Sequence, residues 1–366
     1  MLKQKRKLIS ALIIFMSIIG FTAKQVEASE LKFSVEPVIP ENQKDNGHTY
    51  FDLNMKPEQK QALKVHMRND TDKEVVVIPS IHTATTNING VVEYGESNSK
   101  VDDTVQYKLE DLVKPAVKEV KIPAKSATDL ELNVEMPEAE FSGILAGGIT
   151  LAEKDAETEA TNEQDQEKGL AIENKYAYVV AIVLNESDQK VDSELKLTNV
   201  EPGQVNARNA ISATIQNTQP KYMNQLAVDT KITKKGEKEV LYSSKKDSMQ
   251  MAPNTSFAYP VSLEGKKLEP GKYTLTMDAT SMKQTWHFNK DFEIKADIAK
   301  KLNKTDVSIE KANNLWIYIV FGLLLLLILL LLILLFTKKK KEKQQAELRK
   351  KAHKNRKKKE KNKHKV

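Results

Sequence analysis

Chemistry in this 366-residue chain would have to come from four kinds of residue group, and most lack the partners their chemistry requires. His48, His66, His82 and His287 are scattered, with no His-Glu-x-x-His and no metal-ligand spacing. Ser97-Asn98-Ser99-Lys100 and Ser243-Ser244-Lys245-Lys246 match the Ser-x-x-Lys of acyl-serine enzymes. No Lys-Thr-Gly or Ser-Asp-Asn accompanies them, and neither serine opens an apolar helix. Gly143 to Gly148 lacks the Lys-Ser/Thr of a phosphate loop and reads as a strand with glycine kinks. Glu93 with Glu96, or Asp102 with Asp103, could act as the paired carboxylates of a hydrolase, although loop acids of this kind usually serve solvation. With no cysteine, the chain has no thiol nucleophile, no disulfide, no Cys-ligated metal and no lipid anchored through sulfur. No metal or other cofactor is expected. What remains is a set suited to sugars: the amides of Asn87 and Asn89 and the aromatic faces of Tyr94 and Tyr107.

The elements that must hold these residues read as β. Leu63, Val65 and Met67 alternate with Lys64, His66 and Arg68; Leu130, Leu132 and Val134 alternate with Glu131, Asn133 and Glu135. Tyr273, Leu275 and Met277 repeat the pattern. Period two over such lengths means half-buried strands. Val75 to Ile78 and Tyr178 to Leu184 are continuous apolar runs suited to central strands. Asn69-Asp70, Asn89-Gly90, Pro202-Gly203 and Pro270-Gly271 punctuate them as turns. A single short helical patch falls at Leu109 to Val113. Glu269-Pro270-Gly271-Lys272-Tyr273 reads as a turn entering a strand through a tyrosine, as in immunoglobulin-like domains. The expected fold is mostly β: two tandem immunoglobulin-like antiparallel β-sandwiches over 31–152 and 170–298, with an acidic loop at 153–169 between them. The pattern leaves open which sandwich owns residues 176–184; a hairpin partner would place them in the first. Residues 299–314 read as a polar spacer, at most about 60 Å long when extended at ~3.5 Å per residue. Lys231, Lys234, Lys235 and Lys238 read as guards of an open sheet edge.

The two ends carry topology. Residues 1–28 resemble a secretory signal: Lys3, Lys5, Arg6 and Lys7, an apolar run from Leu8 to Phe21, then Val26-Glu27-Ala28, with cleavage expected between Ala28 and Ser29. Leu315 to Phe336 is a charge-free run whose length, at about 1.5 Å per residue, reaches roughly 33 Å, enough for a bilayer core. Trp316 and Tyr318 sit at one edge and Lys338 to Lys341 at the other, so the body should lie outside and the tail, 337–366, in the cytoplasm. That tail holds 16 Lys and Arg against three Glu, which accounts for the pI near 9.0. The body between the two ends is net acidic, which argues against nucleic-acid binding.

Longer runs carry a resemblance. Phe33-Ser34-Val35-Glu36-Pro37-Val38-Ile39-Pro40-Glu41-Asn42-Gln43, Thr86 through Tyr94, and Phe141-Ser142-Gly143-Ile144-Leu145-Ala146-Gly147-Gly148-Ile149 lie in the first half. Asn174 to Val180, Val200-Glu201-Pro202-Gly203-Gln204-Val205-Asn206, Met249-Gln250-Met251-Ala252-Pro253-Asn254 and Trp286-His287-Phe288 follow. In this order the runs resemble the WxL-interacting proteins of Gram-positive bacteria. The resemblance implies a first domain that binds peptidoglycan and a second directed at host extracellular-matrix ligands. It also implies WxL-domain surface proteins as partners, and a single-pass cell-membrane location. Neither Trp286-His287-Phe288 nor Trp316-Ile317-Tyr318 is Trp-x-Leu, so the chain is not itself the WxL partner. Asp103-Thr104-Val105-Gln106-Tyr107 departs from the Pro-Ser-Leu-Lys-Tyr-like run of relatives. The competing expectation is a membrane-bound wall hydrolase using the loop carboxylates.

Overall fold

A computed structural model describes residues 32–154, 176–187, 189–309 and 315–363. Ala28, Ser29 and most of the acidic loop lie outside the described residues. The first sandwich packs two sheets around one core. One sheet has the order β1 (Phe33–Val38), β3 (Lys60–Asn69), β9 (Ser126–Glu135), β7 (Val113–Pro115). The other runs β2 (Phe51–Asn54), β11 (Ala177–Asn185), β10 (Ile144–Glu153), β4 (Val75–Thr83), β8 (Val120–Ile122). The alternating positions point as their polarity demands: Leu63, Val65 and Met67 share the buried face of their sheet with Leu130, Leu132 and Val134, Leu63 opposite Leu132 and Val65 opposite Leu130. Each such side chain contributes about 1.5–3 kcal/mol by leaving water. A small hairpin, β5 (Thr85–Thr86) with β6 (Val92–Glu93), and a one-turn helix, α1 (Leu109–Leu112), interrupt the strands. Gly147 lets α1 approach: a Cβ there would stand 2.2 Å from the His82 carbonyl oxygen and 2.5 Å from the Leu109 side chain.

The ownership of residues 176–184 is decided by hydrogen bonding. β11 pairs with β10 in antiparallel register, Gly148 opposite Ala181, and with β2 in parallel register, Phe51 opposite Ile182. The first sandwich thus runs through Asn185, past the boundary drawn at 170, and it contains one parallel pairing among its antiparallel ones. The acidic segment is the connection between hairpin partners.

The second sandwich pairs β12 (Leu195–Val205), β13 (Arg208–Asn217) and β16 (Thr255–Ser262) in one sheet. Its other sheet has the order β15 (Val240–Met251), β14 (Met223–Lys234), β17 (Gly271–Ser281), β18 (Gln284–Ile294). Tyr273, 2% exposed, donates its hydroxyl to the Glu269 carbonyl at 2.9 Å, which closes the expected tyrosine corner. β14 is flanked on both sides, so Lys231 and Lys234 stand on a central strand and do not guard an edge.

Of the spacer expected at 299–314, the described part begins as a helix. Ala296–Thr305 forms α2, whose Ala299 and Leu302 lie one turn apart and pack on the second core. Asn303 Oδ1 accepts from Asn209 Nδ2 and from the Leu268 amide, and Asp306 Oδ2 accepts from the Asn209 amide at 2.7 Å. The polar residues that suggest a linker are the ones that pin the helix down. Leu315–Lys363 forms one helix, α3, whose segment from Trp316 is long and apolar enough to cross a membrane.

Candidate functional site

The sequence runs that stand out in the two halves meet where the sandwiches meet. The β5–β6 hairpin is a tight turn organised by Asn87, whose Oδ1 accepts from the amides of Asn89 and Val91 and whose Nδ2 donates to Glu93. At its tip Gly90 takes φ 66°, and its carbonyl accepts from the Gln250 amide at 2.8 Å. A side chain at Gly90 would collide with Met249, since a Cβ would sit 2.6 Å from its Cγ. A backbone irregularity in β15, with Ser248 at φ 56°, accompanies this approach.

Beneath the hairpin, Thr86 and Thr255 close a buried ring. The Ala252 amide donates to Thr86 Oγ1 at 3.0 Å, the two hydroxyls lie 2.7 Å apart, and Thr255 Oγ1 donates to the Ala252 carbonyl at 2.9 Å. Because the Thr255 proton goes to that carbonyl, the Thr86 hydroxyl donates to Thr255. Ala84, Ala146 and Ala252 pack around it, with Tyr94 and Tyr222 alongside. The Tyr94 hydroxyl donates to that of Tyr222 at 3.1 Å. Burial, with the neighbouring Tyr94 hydroxyl, pushes the Tyr222 phenol far above its ordinary value. Two more links span the junction: the Ile144 amide donates to the Pro220 carbonyl at 2.7 Å, and Gln216 Nε2 donates to both Asp102 carboxylate oxygens. Burial raises the Asp102 carboxyl, but hydrogen bonds from Thr104, Gln216 and Ser256 outweigh it and hold the group below the usual carboxylate range.

Beside these links lies a cleft of about 190 Å3 with walls from both sandwiches: Tyr107 and Phe141 from the first, Pro220, Pro253 and Asn254 from the second. The Tyr107 and Phe141 rings tilt at 53° with centroids 6.0 Å apart. At its edge the Phe141 amide donates to Glu186 Oε2; burial pushes that carboxyl up despite this bond, and Oε1 is buried without a partner among the described residues. Gly143, at φ 82°, allows the strand to come against Pro220, whose carbonyl oxygen would be 2.3 Å from an added Cβ.

The four residues nominated as sugar ligands therefore do not form one cluster. Tyr107 lines the cleft, Tyr94 ties the sandwiches together, Asn87 organises the hairpin turn, and Asn89 is exposed at its tip. Of the nominated carboxylates, Glu93 is engaged by Asn87 and Asp102 by Gln216, while Asp103 pairs with Lys100 at 3.3 Å and Glu96 is exposed. Each of the four histidines outside the tail has a local explanation: His66 meets Asp129 at 2.7 Å, His287 meets Asp278 at 2.6 Å, His82 meets Ser80, and His48 stacks on Tyr50. No group of His, Asp and Glu among the described residues has metal-site geometry. Missed from sequence were Phe141, Pro220, Pro253 and Asn254. Three of them stand in the runs Phe141–Ile149 and Met249–Asn254 that carry the resemblance, and that was the available signal.

Comparison with protein families decides what this chain is. The peptidoglycan-binding domain of WxL-interacting proteins matches residues 33–153, and their host-binding domain matches residues 167–304. The chain belongs to the WxL-interacting protein family. Both matched domains are binding domains, and this WxL-interacting protein is a cell-surface binding protein. Among curated proteins none matches it. Solved structures similar to it include the class 5 fimbriae chaperone CfaA, 12% identical over 70% of this chain and 98% of that one, with a TM-score of 0.30. The Escherichia coli chaperone DraB is 14% identical over 72% and 98%, with a TM-score of 0.27. The host-binding match begins before β11, so the family boundary at 167 and the sheet boundary after Asn185 differ by one strand.

Proposed function

We propose that this WxL-interacting protein is a non-catalytic, single-pass surface scaffold of a Gram-positive cell. It binds peptidoglycan through its first sandwich and docks WxL-domain surface proteins, host matrix proteins or both through its second. The observation that carries the reading is the tiling of the body by two binding-domain matches, on sandwiches joined through hydrogen bonds. The apolar α3 supplies the anchor, and the lysines after Phe336 favour a cytoplasmic tail. Nothing at the nominated carboxylates favours hydrolysis: Glu93 and Asp102 are held by Asn87 and Gln216, and Glu96 and Asp103 are exposed on the surface.

Sacculus sedimentation alongside measurement of muropeptide release tests the binding reading: sedimentation without release is expected, and release would support the hydrolase. Orientation is accessible because the chain has no cysteine. A single cysteine at Lys300 should react with an impermeant maleimide on intact protoplasts, and one at Lys343 should not. The opposite pattern would reverse the topology. Capture of a secreted WxL-domain protein should survive changes in the first sandwich; loss through such changes would reverse the division of labour.

A further inference from the structure

We infer that the cleft between the sandwiches binds one N-acetylated sugar ring of a glycan strand, so that peptidoglycan recognition uses residues of both domains. This inference rests on the peptidoglycan-binding reading and moves part of it onto the second sandwich. The lining supports a neutral ligand. Among the described residues, no Lys, Arg, His, Asp or Glu lines the cleft. Its polar members are hydroxyls and amides, and its apolar members are the rings of Tyr107 and Phe141, two prolines and the aliphatic Val105, Ile144, Leu145 and Ala146.

That composition matches a pyranose, which presents hydroxyls around its edge, C–H groups on its face and, in peptidoglycan, an acetamido group. Tyr107 supplies an aromatic face, Pro220 and Pro253 supply flat apolar walls, and polar capacity is left over. The Gln106 amide makes no side-chain hydrogen bond among the described residues. Asn254 donates Nδ2 to the Thr218 carbonyl, which leaves its Oδ1 as an acceptor beside the cleft.

Stem peptides of peptidoglycan carry carboxylates and amines, for which the lining offers no counter-charge. Four acids hydrogen-bond to lining residues without lining the cleft themselves: Asp102 and Glu194 accept from Thr104 and Thr218, Glu110 accepts from Thr83, and Glu186 accepts from the Phe141 amide. Size points the same way. At about 190 Å3 the space is smaller than pockets that enclose a drug-sized ligand, which run to roughly 300–1,000 Å3. It fits a single ring with its substituent, and the remainder of the strand would stay outside. Because Tyr107 and Gln106 come from one sandwich and Pro220 and Asn254 from the other, a bound ring would also brace the junction.

The test titrates tetra-N-acetylchitotetraose into the full chain in detergent micelles by calorimetry, with a free stem tetrapeptide as the second probe. Sacculus sedimentation is measured in parallel. Wild type should bind the sugar and not the peptide. Tyr107→Leu should weaken sugar binding about three- to tenfold, the worth of an aromatic face. Pro220→Ala, in the second sandwich, and Gln106→Ala, at an exposed amide, should each weaken it about threefold while the melting temperature holds. Since Tyr107 also packs on the core, Pro220→Ala and Gln106→Ala carry the test if Tyr107→Leu fails to fold. Sugar binding indifferent to Pro220→Ala overturns the two-domain site. Binding of the peptide instead of the sugar overturns the glycan assignment. Wild type that sediments with sacculi but binds neither probe overturns the cleft while the proposed function stands. Wild type that does not sediment at all overturns that function itself.

Discussion

Thr86→Val isolates the junction in a single hydroxyl. Valine keeps the shape of threonine, so the packing of Ala84, Ala146 and Ala252 is preserved and no cavity opens. What is lost is the acceptor for the Ala252 amide and the donor to Thr255 Oγ1. Ala252 is 0% exposed and Thr86 1%, so water cannot replace the missing partner. Stranding a buried amide costs about 1–3 kcal/mol, more than the net worth of an average hydrogen bond. Thr255 still donates to the Ala252 carbonyl, so the second hydroxyl adds little to the loss. At about 2–4 °C per kcal/mol for a cooperative unit of this size, the melting temperature should fall by roughly 2–12 °C. Differential scanning calorimetry on the full chain in micelles measures it, with Thr198→Val as the control because that hydroxyl is exposed. Thr255→Val should also destabilise. The double variant should cost less than the sum of the two, since both hydroxyls belong to one network. A shift within about 1 °C for Thr86→Val, or full additivity, would refute the ring as the element that couples the sandwiches.

The Asp102 carboxyl is held below its ordinary value of 3.8, so its contribution is complete above that value and is lost as pH falls through its folded value. Asp102→Asn should lower the melting temperature at pH 7 and flatten its fall in acid, read from melting curves across pH. Glu186 behaves oppositely: burial raises its carboxyl above 4.5, so its ionisation costs stability as pH rises past that value. Glu186→Gln keeps an oxygen for the Phe141 amide and should raise the melting temperature at pH 7. Tyr273→Phe removes the hydrogen bond of the tyrosine corner and should cost about 0.5–1.5 kcal/mol in denaturant unfolding. Gly147→Ala should cost about 1–3 kcal/mol or more, or prevent folding, because its Cβ meets backbone oxygen at 2.2 Å. Gly203→Ala, whose nearest neighbour would be 3.6 Å away, should fold normally.

Period-two alternation is a local property, and it was enough to place strands at Lys60–Asn69, Ser126–Glu135 and Gly271–Ser281 with the correct face buried. Composition alone marked the apolar helix after residue 315, since nothing but leucine and isoleucine runs from Leu323 to Leu335. The tyrosine corner was legible because its partners, Glu269 and Tyr273, are four residues apart. Strand pairing was not, because alternation states which face is buried and is silent on which neighbour a strand takes. Only hydrogen bonding assigned Ala177–Asn185 to the first sandwich and laid it parallel to Phe51–Asn54. Likewise α2 looked like a linker because Asn303 and Asp306 are polar, and their role is defined by partners at Asn209 and Leu268. The junction was furthest from view: Thr86 and Thr255 are 169 residues apart, and a buried hydroxyl leaves no mark in an apolar pattern. Long-range polar contacts of this kind exist only once both sheets have formed, so tertiary structure alone decided that two domains readable as separate beads meet in one hydrogen-bonded seam.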